Sequence, residues 1–207
     1  MKTITKLLLL ATAFLTTNVF SQTSVGFTAG TSIAAIRSKV DKSETSDSKA
    51  GLTAGVILNC PLSSHVSIQP ALSFIQKGGK EKGGSGKAIL NYLELPVNLI
   101  YNTNDYYGFF IGGGPALSAG LSGKDIYTYN NVTQKDDIKF GKDKDFKRME
   151  VSGNLLGGYR FPVGLLLAVN YDMGFSNLFH DKALDGKLTT RYIGIRLGYL
   201  ISSYKKP

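Results

Sequence analysis

The chain has 207 residues, a formal net charge of +9, 43% hydrophobic residues and a single cysteine, Cys60. One cysteine excludes an internal disulfide and a metal cluster built from thiolates. A mean hydropathy of −0.02, with no long apolar run past the N-terminus, excludes a protein that spans a bilayer with helices. The basic excess does not point to nucleic acid, because the first residues direct the chain out of the cytoplasm; anionic lipid head groups or a solvated loop surface are the better counterpart.

Residues 1–21, MKTITKLLLLATAFLTTNVFS, read as a signal peptide. Lys2 and Lys6 precede an apolar run over residues 7–15, and the small Ser21 precedes Gln22. The run is too short to cross a bilayer as a helix, for which about 20 residues are needed. No cysteine lies near the cut, so lipoprotein processing is not expected. The mature chain is then residues 22–207, a single domain, and loss of Lys2 and Lys6 lowers its formal charge from +9 to +7.

Eight segments of the mature chain alternate at period two, and no segment has the period of a helix. Residues 23–36 place Val25, Phe27, Ala29 and Ile33 on one side. Residues 51–60 align Leu52, Ala54, Val56 and Leu58. Residues 66–76 set Val66, Ile68, Leu72 and Phe74 against Ser67, Gln69 and Ser73. In residues 91–101, NYLELPVNLIY, Leu93, Leu95, Val97 and Leu99 alternate with Tyr92, Glu94, Pro96 and Asn98. Residues 107–121 oppose Phe109, Ile111, Leu117 and Leu121 to a glycine-rich face. Residues 147–161 oppose Met149, Val151, Leu155 and Tyr159 to Arg148, Glu150, Ser152, Asn154 and Arg160. Residues 165–175 oppose Leu165, Leu167, Val169, Tyr171 and Met173 to Ala168, Asn170 and Asp172. Residues 189–201 oppose Ile193, Ile195, Leu197 and Tyr199 to Tyr192, Gly194, Arg196 and Gly198. Runs of about 10 to 15 residues exceed the usual soluble strand of about 5 to 6 and suit a tilted membrane strand.

The connections alternate too. Residues 61–65, 102–106 and 162–163 are short; residues 37–49, 77–87, 122–146 and 177–187 are long, polar and charged. Short turns at one end and long loops at the other are expected of an outer membrane barrel, with the turns in the periplasm. A Greek-key sandwich has no reason to sort its connections this way. The expected fold is therefore all-β: an eight-stranded antiparallel up-and-down transmembrane barrel in the cell outer membrane, with both termini at the periplasmic end. On that reading the aliphatic faces meet lipid. Glu94, Arg148, Glu150, Arg160, Asp172 and Arg196 point inward as a structural polar network, since buried charges need partners. Gly112, Gly114, Gly158 and Gly198 share their face and leave room for long side chains. An eight-stranded barrel is just wide enough to be filled by side chains, so a packed polar plug is favoured over an ion path.

The segments VGFTAGTS, SIQPALSFIQKGG, NYLELPVNLIY, GFFIGGGPALSAGL and LLGGYRF together resemble one group. It is the PorT-like outer membrane β-barrel family of Bacteroidota, often called porin family proteins. The resemblance covers essentially the whole mature chain and implies an eight-stranded barrel of the OmpA transmembrane type. Its founding member is associated with protein secretion, a role that fold alone does not transfer. Such barrels commonly end on a Phe read by the barrel assembly machinery. This chain departs from that pattern, ending Tyr204-Lys205-Lys206-Pro207, with Tyr204 the candidate signal.

No catalytic, cofactor or metal site emerges. His65 falls in a periplasmic turn and His180 in an outer loop, so they cannot share a site. Ser176, His180 and Asp181 form the one local nucleophile-and-base candidate, and a solvated loop explains them better. The glycine- and lysine-rich residues 77–87 lack phosphate-loop spacing and read as a flexible cationic loop near lipopolysaccharide. The Asp- and Lys-rich run over residues 130–146 has no ordered calcium-ligand series. Asn131-Val132-Thr133 is a glycosylation sequon of little weight in such a barrel. The expected function is an outer membrane barrel with a structural, surface-interaction or narrow-pore role and no enzymatic activity. Its expected partners are membrane lipids, lipopolysaccharide and the assembly machinery, and it is expected to be a monomer. The alternatives are a soluble lipocalin-like barrel holding an apolar ligand, a barrel-embedded lipid hydrolase, and a secretion accessory protein.

Overall fold

The computed structural model describes residues 23–40, 42–81, 83, 85–104, 107–129, 132–142, 144–179 and 187–201. The proposed signal peptide, His180, Asp181, Asn131 and Tyr204 lie outside the described residues. Ten strands form one antiparallel sheet: β1 (Ser24–Val40), β2 (Lys42–Thr45), β3 (Lys49–Pro61), β4 (Val66–Lys80), β5 (Lys87–Asn102), β6 (Gly108–Tyr129), β7 (Val132–Ile138), β8 (Met149–Arg160), β9 (Leu165–Gly174) and β10 (Lys187–Ile201). Eight of them make the wall, in the order β1, β3, β4, β5, β6, β8, β9, β10. The last then pairs with the first, from Val25 opposite Ile201 to Lys39 opposite Lys187. The ring is closed, so its backbone groups are paired on both sides. Hydrocarbon, which offers no water to an open edge, demands that closure.

The alternation sorts the side chains as the barrel requires. Along β5, Leu93, Leu95, Val97 and Leu99 are 37% to 56% exposed while Glu94 is 0% exposed. A soluble ligand-binding barrel would show the reverse, with polar residues outside. Aromatic side chains gather outside the turn end of the wall. Tyr159 packs edge-on against Phe109 at 4.9 Å and Phe161 at 5.0 Å, and His65 stacks on Tyr101 at 6.1 Å. This is the placement of an interfacial girdle.

Most strands run further than the alternation indicates, chiefly at the loop end, whereas β8 begins only at Met149. Residues 77–80 continue β4 and pair with residues 87–90 of β5, so Lys80 stands opposite Lys87 and the expected flexible loop shrinks to a turn. β6 extends to Tyr129 and doubles back as β7, while β2 folds onto the end of β1. A strand that leaves the membrane has water on both faces, and the period-two signal stops there even though the ladder does not.

Candidate functional site in the barrel lumen

Read from its outer end, β5 names the layers of the lumen. Leu90 and Tyr92 come first, then Glu94, then Asn98 and Ile100, all buried. The outer layer is a cap. Phe140, from the segment between β7 and β8, turns into the barrel and meets the Tyr92 ring edge-on at 5.4 Å. Phe146 and then Phe179 continue the aromatic chain, each at 6.1 Å. Gly120 faces the Phe140 ring so closely that a Cβ there would overlap it, so the cap depends on the missing side chain. A backbone bond from Gly120 N to Arg148 O continues the contact of β6 with the segment before β8, and one from Lys147 N to Leu178 O ties that segment to the one after β9.

Beneath the cap lies an ion cluster. Lys77 Nζ stands 3.1 Å from Glu150 Oε2, 3.3 Å from Glu94 Oε2 and 3.7 Å from Asp172 Oδ1, all four side chains being fully buried. Hydroxyls complete the carboxylate shells. Tyr192 donates to Glu94 Oε1 at 2.6 Å, Ser118 to Glu94 Oε2 at 3.1 Å, Ser152 to Asp172 Oδ2 at 2.8 Å and Thr190 to Glu150 Oε1 at 2.5 Å. The Lys77 ammonium also sits 5.0 Å from the Tyr92 ring centroid and 5.4 Å from that of Tyr192. Six wall strands, β4, β5, β6, β8, β9 and β10, contribute to a knot of charge in a space of low dielectric, where each contact is stronger and each unpaired group costlier. At Gly174 a Cβ would strike Glu150 Oε1, so a glycine opens the space that this carboxylate fills.

The six residues assigned to the network from the sequence fall into three groups. Glu94, Glu150 and Asp172 converge on Lys77. Arg196 joins them at one remove, donating from Nη2 to Tyr192 OH at 3.1 Å. Arg160 is buried near the turn end, 3.5 Å from Asn59 Oδ1. Arg148 does not belong to the lumen: it precedes the first residue of β8, is exposed, and donates to the Phe140 carbonyl at 3.1 Å. The period-two count had been carried one residue past the end of the ladder. Lys77, the centre of the cluster, falls in the segment 77–87 that composition marks as a loop. Its inward parity with Ser67, Gln69 and Ser73 was the available signal. Gly112, Gly158 and Gly198 share the inward face but lie against Ile100, Phe110 and Leu166 rather than against ionised groups.

Below the ions an apolar cluster of Ile57, Ala71, Ile100, Phe110, Leu166, Ala168 and Leu200 shares the lumen with buried polar side chains, among them Gln69, Asn98, Asn154, Arg160 and Asn170. Of the nucleophile candidate, only Ser176 is described, and its hydroxyl accepts the Val151 amide at 2.8 Å.

A family description, the outer membrane protein beta-barrel domain, matches residues 20–180. The chain belongs to that family. Its location is therefore the outer membrane, and its eight-stranded wall is a member's barrel. No curated protein matches the sequence. Among solved structures, the chain is similar to Ail, the attachment invasion locus protein of Yersinia pestis, at 12% identity and a TM-score of 0.43, covering 86% of this chain and 98% of that one. It is similar to the N-terminal β-barrel domain of Pseudomonas aeruginosa OprF at 9% identity and a TM-score of 0.40, covering 86% and 97%. Neisserial surface protein A gives 9% identity, a TM-score of 0.41 and coverage of 84% and 96%.

Proposed function

We propose that this outer membrane barrel is a non-conducting anchor that displays its outer loops as an interaction surface. The observation that carries the reading is the double closure of the lumen. The Phe140 cap blocks the outer mouth, and the Lys77 cluster fills the section below it with side chains from six strands. A solute path would have to break both. The outward-facing remainder is a β6–β7 hairpin that projects beyond the wall, together with outer ends rich in lysine, among them Lys80, Lys87, Lys124 and Lys135. Cationic outer ends favour contact with the anionic groups of lipopolysaccharide.

Within this reading the chain is a PorT-like member of the family. The support is the run of segments from VGFTAGTS to LLGGYRF. Residues 1–21 act as its signal peptide, the barrel assembly machinery inserts it, and it works as a monomer without enzymatic chemistry. Planar-bilayer recording on the refolded chain tests the central point. The expected result is no steady channel current at either polarity, and a reproducible open-channel step would reject it.

A further inference from the structure

The lumen beneath the Lys77 cluster takes no part in the closure argued above. It contains a cavity with about 30 Å³ of room for water-sized molecules, enough for a pair of waters or one small ion. Arg160, Arg196, Asn98, Asn154 and Asn170 line it together with Gln69, Thr28 and apolar residues, and among the described residues no carboxylate does. Both guanidinium groups belong to residues only 9% exposed. Each gives one Nη2 hydrogen bond to a neutral oxygen, Arg160 to Asn59 at 3.5 Å and Arg196 to Tyr192 OH at 3.1 Å. Among the described residues neither Nε has an acceptor, and neither polar atom of the Asn170 side chain has a partner.

Buried cations are normally matched by an opposite charge. Glu94, Glu150 and Asp172 contact Lys77 directly, and Glu94 meets Arg196 only through the Tyr192 hydroxyl. The cap of Leu90, Tyr92 and Phe140 closes the route from outside. Arg160 is the last residue of β8, so the cavity lies in the turn-end half of the lumen. The geometry points to a binding site for a small monovalent anion of halide size in the periplasmic half of the lumen. Arg160 Nε, Arg196 Nε and the Asn170 amide donate to it. Charge-assisted bonds from two guanidinium groups would hold such an ion in a cavity whose lining has no carboxylate. A sugar phosphate or nucleotide exceeds the space.

Bromide is the probe. Crystals of the full chain soaked in sodium bromide should give an anomalous peak within hydrogen-bonding reach of both Nε atoms. In detergent solution the Arg160 and Arg196 Nε–H resonances should shift saturably with bromide. Arg160→Gln should weaken that saturation about tenfold, the loss of one hydrogen bond to a charged group, while heat-modifiable gel mobility confirms that the variant is folded. If Arg160→Gln does not fold, Asn170→Leu serves as the comparison and should also weaken binding. Water alone in the cavity, bromide only at surface lysines as an adventitious ion, or unchanged saturation in the folded variants would overturn the site. Channel recording tests the closed-barrel reading separately, so failure here leaves that reading intact.

Discussion

Lys77 brings one ammonium group to three carboxylates in a space that water does not reach. Such a group is worth more by its absence than by its presence, because removing it leaves like charges facing one another in a poor dielectric. Lys77→Met should therefore cost about 3–5 kcal/mol, the range for breaking a buried ion pair. Urea unfolding in lipid vesicles measures it. Adding Glu94→Gln, Glu150→Gln and Asp172→Asn to Lys77→Met should recover most of the loss, and a quadruple variant no more stable than the single one would show that charge is not the cause. Glu94, Glu150, Asp172 and Arg196 were legible because each sits inside a run of clean alternation. Lys77 follows such a run but precedes two glycines and further lysines, a composition that reads as loop. Arg148 erred the other way, its parity extended beyond the ladder to a position where the backbone has already turned toward Leu178.

Among the elements, the β6–β7 hairpin behaves differently from the wall. Along β7 the residues Val132 to Asp137 are all exposed, so nothing buried fixes its register and no alternation announces it. Cross-strand side chains do that work instead. Tyr127 OH donates to Gln134 Oε1 at 2.7 Å and to Asp136 Oδ2 at 3.0 Å, and Thr128 bonds Thr133 at 3.1 Å. The hydrogen bond to Asp136, with the neighbouring negative charges of Asp136 and Asp125, holds the Tyr127 phenol above its ordinary ionisation range. A folded value above the unfolded one means that the hairpin favours the neutral phenol. Its contribution is therefore complete below the ordinary tyrosine value of about 10 and is lost as the pH rises through the raised folded value. The Tyr127 ring resonances should accordingly titrate later than those of an unstructured tyrosine, and Asp136→Asn should bring them earlier. An unchanged titration in Asp136→Asn would remove that bond from the account. By contrast, the wall strands could be placed from the sequence to within a few residues at their turn ends, because lipid on one side and a packed lumen on the other force a strict period. The loop ends lack that constraint, which is why the alternation does not announce the strands at residues 77–80, 122–129 and 132–138.

For the whole molecule, the decisive quantity is the solvent that faces the aliphatic surface. The inside-out sorting of β5 makes sense only if hydrocarbon surrounds the wall, since water around Leu93, Leu95, Val97 and Leu99 would leave a broad apolar belt unsatisfied. That solvent has depth, and depth gives a test that fold comparison cannot. A charge introduced on the lipid face should be most costly at the bilayer midplane and nearly free at the interface. Leu95, in the middle of β5, and Tyr101, beside His65 at the turn end, lie on the same outward face of the same strand. Leu95→Arg should therefore destabilise the barrel by about 2–4 kcal/mol, and Tyr101→Arg by about 0–1 kcal/mol beyond its lost stacking, with Val97→Arg and Leu99→Arg grading between them. Equilibrium unfolding of the four variants in vesicles gives the profile. Equal costs along the strand would mean a surface in uniform contact with water or protein, and the wall would then have to be packed against something other than lipid. A cost that declines steadily toward Tyr101 would place the midplane near Leu95, level with Glu94, so that the Lys77 cluster sits where an unpaired charge is least tolerated and a closed lumen matters most.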